Sequence, residues 1–202
     1  MSMRSHLLTS TMAILSLAVP AAASSVLPAD FSQLSQNAEN VIGGVITSIT
    51  PSQDADTGYI YSTVTVLVSH AVPAEIAGDE YSFKMIGGTL NGKELYIADF
   101  PKFSVDDTVI LFLNSETSSV LGPTIGLWQG VFFVDTKQPG NAVVTDHLRR
   151  PIAGVKDRQL ILSAGTSGSG GTNALSTASG SRGLDLDEFF REVESHRSSS
   201  GQ

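Results

Sequence analysis

The chain has 202 residues, with 12 Lys and Arg against 20 Asp and Glu, a formal net charge of -8 and no cysteine. That length supports one domain with a real core, and the acidic balance adds repulsion to any polyanion, so nucleic acid and anionic membrane faces are not expected partners. The missing thiols remove disulfides, cysteine catalysis, thiolate metal sites and a lipid-bearing N-terminal cysteine together.

Residues 1–23 read as a secretory leader. Arg4 precedes an apolar run from Leu7 to Val19, and Ala21, Ala22 and Ala23 offer a small-residue exit, so cleavage is expected after Ala23. No later stretch has about 18 uninterrupted apolar residues. The expected product is soluble, without membrane insertion, and periplasmic or secreted.

Asp30 is placed to cap a short helix that carries Phe31, Leu34 and Ala38 on one side. The period then changes to two. Val41 to Thr50 and Tyr59 to Val72 are rich in β-branched and aromatic residues, and Pro51 to Gly58 between them has the composition of a hairpin loop. In the second run Ile60, Ser62, Val64, Val66 and Val68 share one face. Further strands are predicted at Glu80–Gly87, Lys93–Ala98, Asp107–Asn114, Gly126–Asp135 and Ala142–Asp146.

Short strands with tight connections and no long helices between them predict a mainly β domain over residues 24–162. The expected architecture is a small antiparallel, partly open OB-like barrel, with a β-sandwich as the alternative. Gly43-Gly44 and Gly130, inside predicted strands, favour the barrel because they permit bulges or corners.

After Leu162 the composition turns to Gly, Ser, Thr and Ala, which predicts a flexible linker over residues 163–183. A helix follows at 184–197. Asp185 and Glu188 form a capping box, Leu184 and Phe189 a hydrophobic staple, and Leu186, Phe189, Phe190 and Val193 an apolar stripe. Such a stripe predicts docking. A cover is also needed at Phe132 and Phe133, since adjacent strand residues face opposite ways and one of them would otherwise leave the core. The helix is the expected cover, with a partner protein or glycan as the alternative.

The most conspicuous motif is "IGGTLNGKEL", Ile86 to Leu95. Gly87, Gly92 and Lys93 have the spacing of a phosphate-binding loop. Such a loop requires a Ser or Thr after the Lys and a helix opening there, yet Glu94 occupies that position and "ELYIA" reads as a strand. Asn91-Gly92 is instead the dipeptide suited to a two-residue hairpin turn.

Other constellations are weaker. Asp54 and Asp56 begin like a calcium loop, but Gly58, Tyr59 and Thr65 break the ligand pattern. Asp106-Asp107 reads as a turn before an apolar strand. His6 belongs to the leader and His196 to the tail, while His70 and His147 have no metal-ligand spacing. No G-x-S-x-G or S-x-x-K is present. The sequence therefore assigns no catalytic, metal-ligating or cofactor-binding residue, and no cofactor is expected.

The order "AENVIGGVITSI", "YIYSTVTVLVSHAV", "DFPKFSVDDTVILFL" and "WQGVFFV" resembles a recurring family of exported bacterial β-barrel proteins for which no reaction is established. The match runs over Pro101, Phe103, Asp106, Asp107 and Ile110 to Leu113, and covers roughly residues 31 to 135 and the final helix. More remotely, the opening strands look like those of netrin-like, OB-type barrels, the group that includes metalloproteinase inhibitors. Those inhibitors act through an N-terminal cysteine, which this chain lacks, so the resemblance implies a barrel and no mechanism.

The functional expectation is an exported, non-catalytic module that binds a protein or polysaccharide. The alternative is an exported hydrolase whose site gathers His70 or His147 with Asp106, Asp107 or a serine.

Overall fold

The long β-branched runs form one hairpin. Strands β1 (Asn40–Gln53) and β2 (Ile60–Val72) pair antiparallel from Val41↔Val72 to Gln53↔Ile60. At its tip the Asp54 carboxylate accepts hydrogen bonds from the Thr57 amide at 2.9 Å and the Thr57 hydroxyl at 2.8 Å. The acidic "DADTG" stretch is thus a self-closed turn of the kind Asp favours. The register slips between Gly43 and Gly44 and again between Ile46 and Ser48. A side chain at Gly44 would run into the Leu67 carbonyl, so the first bulge depends on glycine.

This is a computed structural model, and it describes residues 28–98, 100–114, 121–136, 142–163, 177–178 and 183–199. The expected leader and most of the expected linker lie outside the described residues. To the hairpin are added β3 (Glu80–Ile86), β6 (Thr108–Leu113), β7 (Val131–Asp135) and β8 (Val143–Thr145). They make an antiparallel sheet in the order β3-β2-β1-β6-β7-β8. The fold is mainly β, as expected. Its sheet is open, with β3 and β8 as edges, and does not close into a barrel.

Two smaller sheets complete the β structure. A short hairpin of β4 (Gly88–Leu90) and β5 (Lys93–Leu95) turns at Asn91-Gly92, with φ of 51° and 76°, as the dipeptide predicts. Strands β9 (Ile152–Lys156) and β10 (Gln159–Ser163) form the second hairpin, and β11 (Thr177–Ala178) adds to β10 in parallel. The sequence reading missed β9 and β10 because their turn uses Asp157-Arg158, at φ 51° and 68°, with no glycine or asparagine to announce it.

Two strand expectations need correction. Leu127–Gly130 is a 3-10 turn, and the strand begins only at Val131. A Cβ on Gly130 would lie 2.7 Å from the Ile125 carbonyl, so this glycine serves a tight turn and not a barrel corner. The predicted strand Lys93–Ala98 stops at Leu95, where β4 has no further residues to pair with.

The main sheet is buried on both faces at β6 and β7, whereas β2 and β3 leave one face toward solvent, as at Leu67 and Lys84. In β6, Val109, Leu111 and Leu113 join one apolar cluster while Ile110 and Phe112 join the other; in β7, Val131 and Phe133 separate in the same way from Phe132 and Val134. That arrangement explains why "TVILFL" and "VFFV" have no polar alternation. The cluster that holds Ile110, Phe112, Phe132 and Val134 is roofed by the β9–β10 hairpin and two helices, α1 (Phe31–Asn37) and α2 (Leu186–Ser198). Both helices start with the predicted capping residues, and α1 has its own box of Asp30 with Gln33.

Helix α2 docks by its stripe. Phe189, Phe190 and Val193 are buried, each contributing about 1.5–3 kcal/mol by leaving water. Phe189 packs 5.1 Å from the Phe132 ring and 5.3 Å from Phe31, centroid to centroid. The expected intramolecular cover over Phe132 is therefore present. Phe133 lies on the opposite face, 6.0 Å from Phe103, with the Arg149 guanidinium 3.5 Å above its ring. Neither aromatic is exposed, so a binding face built on this pair is ruled out.

Candidate functional site

The stretch that resembled a phosphate loop forms one wall of a cleft. At the far end of the β1–β2–β3 sheet, Ile49, Val64 and Met85 make an apolar floor. The β4–β5 hairpin rises on one side with Thr89 and Glu94, and Tyr96, Ile97 and the stretch Phe100 to Phe103 close the other. The cleft has a volume of about 330 Å³ and opens to solvent. This lies at the small end of the range for ligand sites.

Glycine determines how the hairpin leaves the sheet. Gly87 and Gly88 have φ of 109° and 132°, which side-chain-bearing residues rarely adopt, and a Cβ on Gly88 would strike the Ser62 hydroxyl. Gly87 is anchored at both polar groups: its amide donates to the Ile60 carbonyl at 2.8 Å and its carbonyl accepts from the Ser62 hydroxyl at 2.8 Å. The "GG" pair is thus a fixed bend that swings the hairpin over the sheet. Asn91, Gly92 and Lys93 play the roles of turn and strand start, without any phosphate cradle.

Charge at the rim is paired. Lys102 donates to Glu94 across the cleft mouth at 3.2 Å, and its ammonium sits 4.7 Å from the centre of the Tyr96 ring. Both partners of the ion pair are exposed, at 68% and 57% of their side-chain surface. Such a contact stabilises by roughly 0.2–1 kcal/mol. It orients the groups without locking the hairpin shut. Tyr96 is half exposed, while Phe100 and Phe103 on the same wall root in the core. What the cleft presents is an aromatic surface beside a hydroxyl, a carboxylate and an ammonium group.

The histidine expectations divide. His70 is not solitary: its Nε2 lies 2.7 Å from an Asp187 oxygen and its Nδ1 lies 3.0 Å from the Ser69 hydroxyl. The acidic partner is thus Asp187 on α2, and not Asp106 or Asp107. Asp107 accepts from Arg149 at 3.1 Å and from the Ser104 amide at 2.9 Å, while Asp106 sits in the turn at φ 72°. The sequence reading missed Asp187 because it is 117 residues from His70 and looked like part of the helix-start signal. Among its contacts, His147 packs against Trp128 with ring centroids 6.4 Å apart.

The serine, histidine and aspartate line up, but their setting is that of a clasp. Ser69 is also within 3.2 Å of the Gly43 carbonyl, to which its hydroxyl can donate. The Asp187 side chain is 78% exposed, so water competes for the imidazole. His70 also lies 5.3 Å from the Phe190 ring, which places the whole chain of contacts at the seam where α2 meets β2. Arg197 continues that seam, donating to the Val72 carbonyl at 3.0 Å and the Glu39 carbonyl at 3.4 Å.

Among the described residues, no group of three or more histidine or acidic side chains converges as a metal site. No described helix is long and apolar enough to cross a membrane. No family model, curated protein or solved structure matches the chain. The molecule's own geometry is the ground for a functional reading.

Proposed function

We propose that the protein is an exported, non-catalytic binding module whose ligand enters the cleft between the β4–β5 hairpin and the wall of Tyr96, Ile97 and Phe100–Phe103. The observation that carries this reading is the cleft itself. It has a solvent-open volume of about 330 Å³ with an aromatic wall and charged groups held at its mouth. The leader-like N-terminus supports export, and a polysaccharide or protein of the envelope or surroundings is the partner class that fits the compartment.

Two substitutions test the location. Thr89→Trp places an indole in the cleft from an exposed position, whereas Ser69→Ala removes a hydroxyl at the α2 seam. Affinity electrophoresis of the mature chain in gels containing envelope polysaccharide should show retardation that Thr89→Trp abolishes and Ser69→Ala leaves unchanged. Equal retardation of all three proteins would place any binding elsewhere.

The contacts among Ser69, His70 and Asp187 support a second reading, an exported hydrolase, because a hydroxyl lies within hydrogen-bond reach of an imidazole that a carboxylate also contacts. Turnover of a p-nitrophenyl ester that Ser69→Ala does not reduce eliminates it.

A further inference from the structure

Resting on the cleft reading, we infer that the ligand is an uncharged, hydroxyl-rich ring compound, a neutral saccharide unit within an oligosaccharide. The two ionic groups at the mouth, Glu94 and Lys102, neutralise one another at 3.2 Å. An anionic sugar would have to take Lys102 from Glu94 while facing that carboxylate, within a protein whose net charge is already -8. A cationic ligand would face the ammonium. A neutral polyol does neither, since its hydroxyls can donate to Glu94 and accept from Lys102 at once.

Tyr96 keeps 51% of its surface exposed beside the cleft, and Phe103 continues the aromatic wall. Tyr96, with the Lys102 ammonium over one of its faces, offers ring contact and a polar partner together to a pyranose, which has apolar C–H faces and a polar rim. The volume of about 330 Å³ admits one or two such rings.

An extended peptide gains affinity by pairing its backbone with an open strand edge. At the root of the hairpin, Gly87 has both its amide and its carbonyl engaged, so this bend offers a peptide no free backbone group. The groups at the mouth are side-chain donors and acceptors, Thr89, Glu94, Tyr96 and Lys102, which suit hydroxyls better than a peptide backbone.

The test uses the isotope-labelled mature chain, titrated separately with neutral trisaccharides (glucan, mannan and galactan fragments), with trigalacturonate and with a set of tripeptides. Amide shifts at Gly87, Gly88, Thr89 and Glu94 should move with at least one neutral trisaccharide and stay in place with trigalacturonate. Glu94→Gln and Tyr96→Ala should each weaken that binding about tenfold, the scale expected for losing a hydrogen bond to a charged group or a ring contact. Shifts at these amides with tripeptides or trigalacturonate alone overturn the saccharide inference and leave the cleft as a binding site. Saccharide binding that moves only amides away from the cleft overturns the cleft reading, and silence with every probe overturns the saccharide inference.

Discussion

At the scale of single residues, local chemistry explains most of the turns. Asp54 is the clearest case. Hydrogen bonds from the Thr57 amide first, and then from its hydroxyl, hold the Asp54 carboxyl below its ordinary value of 3.8. A depressed carboxyl stabilises the fold while pH stays above the unfolded value and loses that contribution as pH falls through the lower, folded one. A carbon-13 titration of Asp54 should therefore show a midpoint below 3.8, and any stability difference due to its charge should vanish in acid. A midpoint at or above that value contradicts the assignment. Gly44 is the other decisive residue: Gly44→Ala forces a methyl group into the Leu67 carbonyl. Its expected cost is about 1–3 kcal/mol, the range for overpacking, read from chemical denaturation.

Among the elements, α2 shows which contacts dominate an attachment. Its polar clasp is exposed, with Asp187 at 78% and His70 at 32% of side-chain surface, so Asp187→Ala should cost no more than about 1 kcal/mol. Its aromatic contact is dry. Phe189 is fully buried between Phe31, Phe112 and Phe132, and Phe189→Ala should cost about 3–5 kcal/mol. Equilibrium denaturation of the two variants compares them directly, and a larger loss from Asp187→Ala would reverse the ranking. The helix entry is also built into the sheet: the Val144 amide donates to the Leu184 carbonyl at 2.8 Å, and the Leu184 amide donates to the Ile152 carbonyl at 2.7 Å. The capping box and staple made this helix legible in the sequence. Its anchoring between β8 and β9 was not, because the β9–β10 hairpin turns without Gly or Asn.

For the molecule as a whole, the two apolar clusters share the strands of one sheet. Phe132 and Phe133 are neighbours in β7 but belong to opposite clusters. Loss of either should therefore destabilise the same cooperative unit. Phe132→Ala and Phe133→Ala are each expected to lower the thermal midpoint by about 6–20 °C, from about 3–5 kcal/mol at roughly 2–4 °C per kcal/mol. In both variants Trp128 fluorescence and far-ultraviolet dichroism should report one coincident transition. Separate transitions would mean that the clusters unfold independently.

The sequence alone determined the β class, the two capped helices, the long hairpin and the Asn91-Gly92 turn, because each depends on residues within a few positions of one another. It also showed that one of Phe132 and Phe133 needs a cover beyond the core. Only the tertiary structure decided that the sheet stays open, that β9–β10 and α2 roof one face, and that the hairpin over "IGGTLNGKEL" walls a cleft with Tyr96 and Lys102. The same holds for the contact between His70 and Asp187. These are relations between segments far apart in the chain, set by which apolar faces must meet to leave water, and no local pattern of residues encodes that choice.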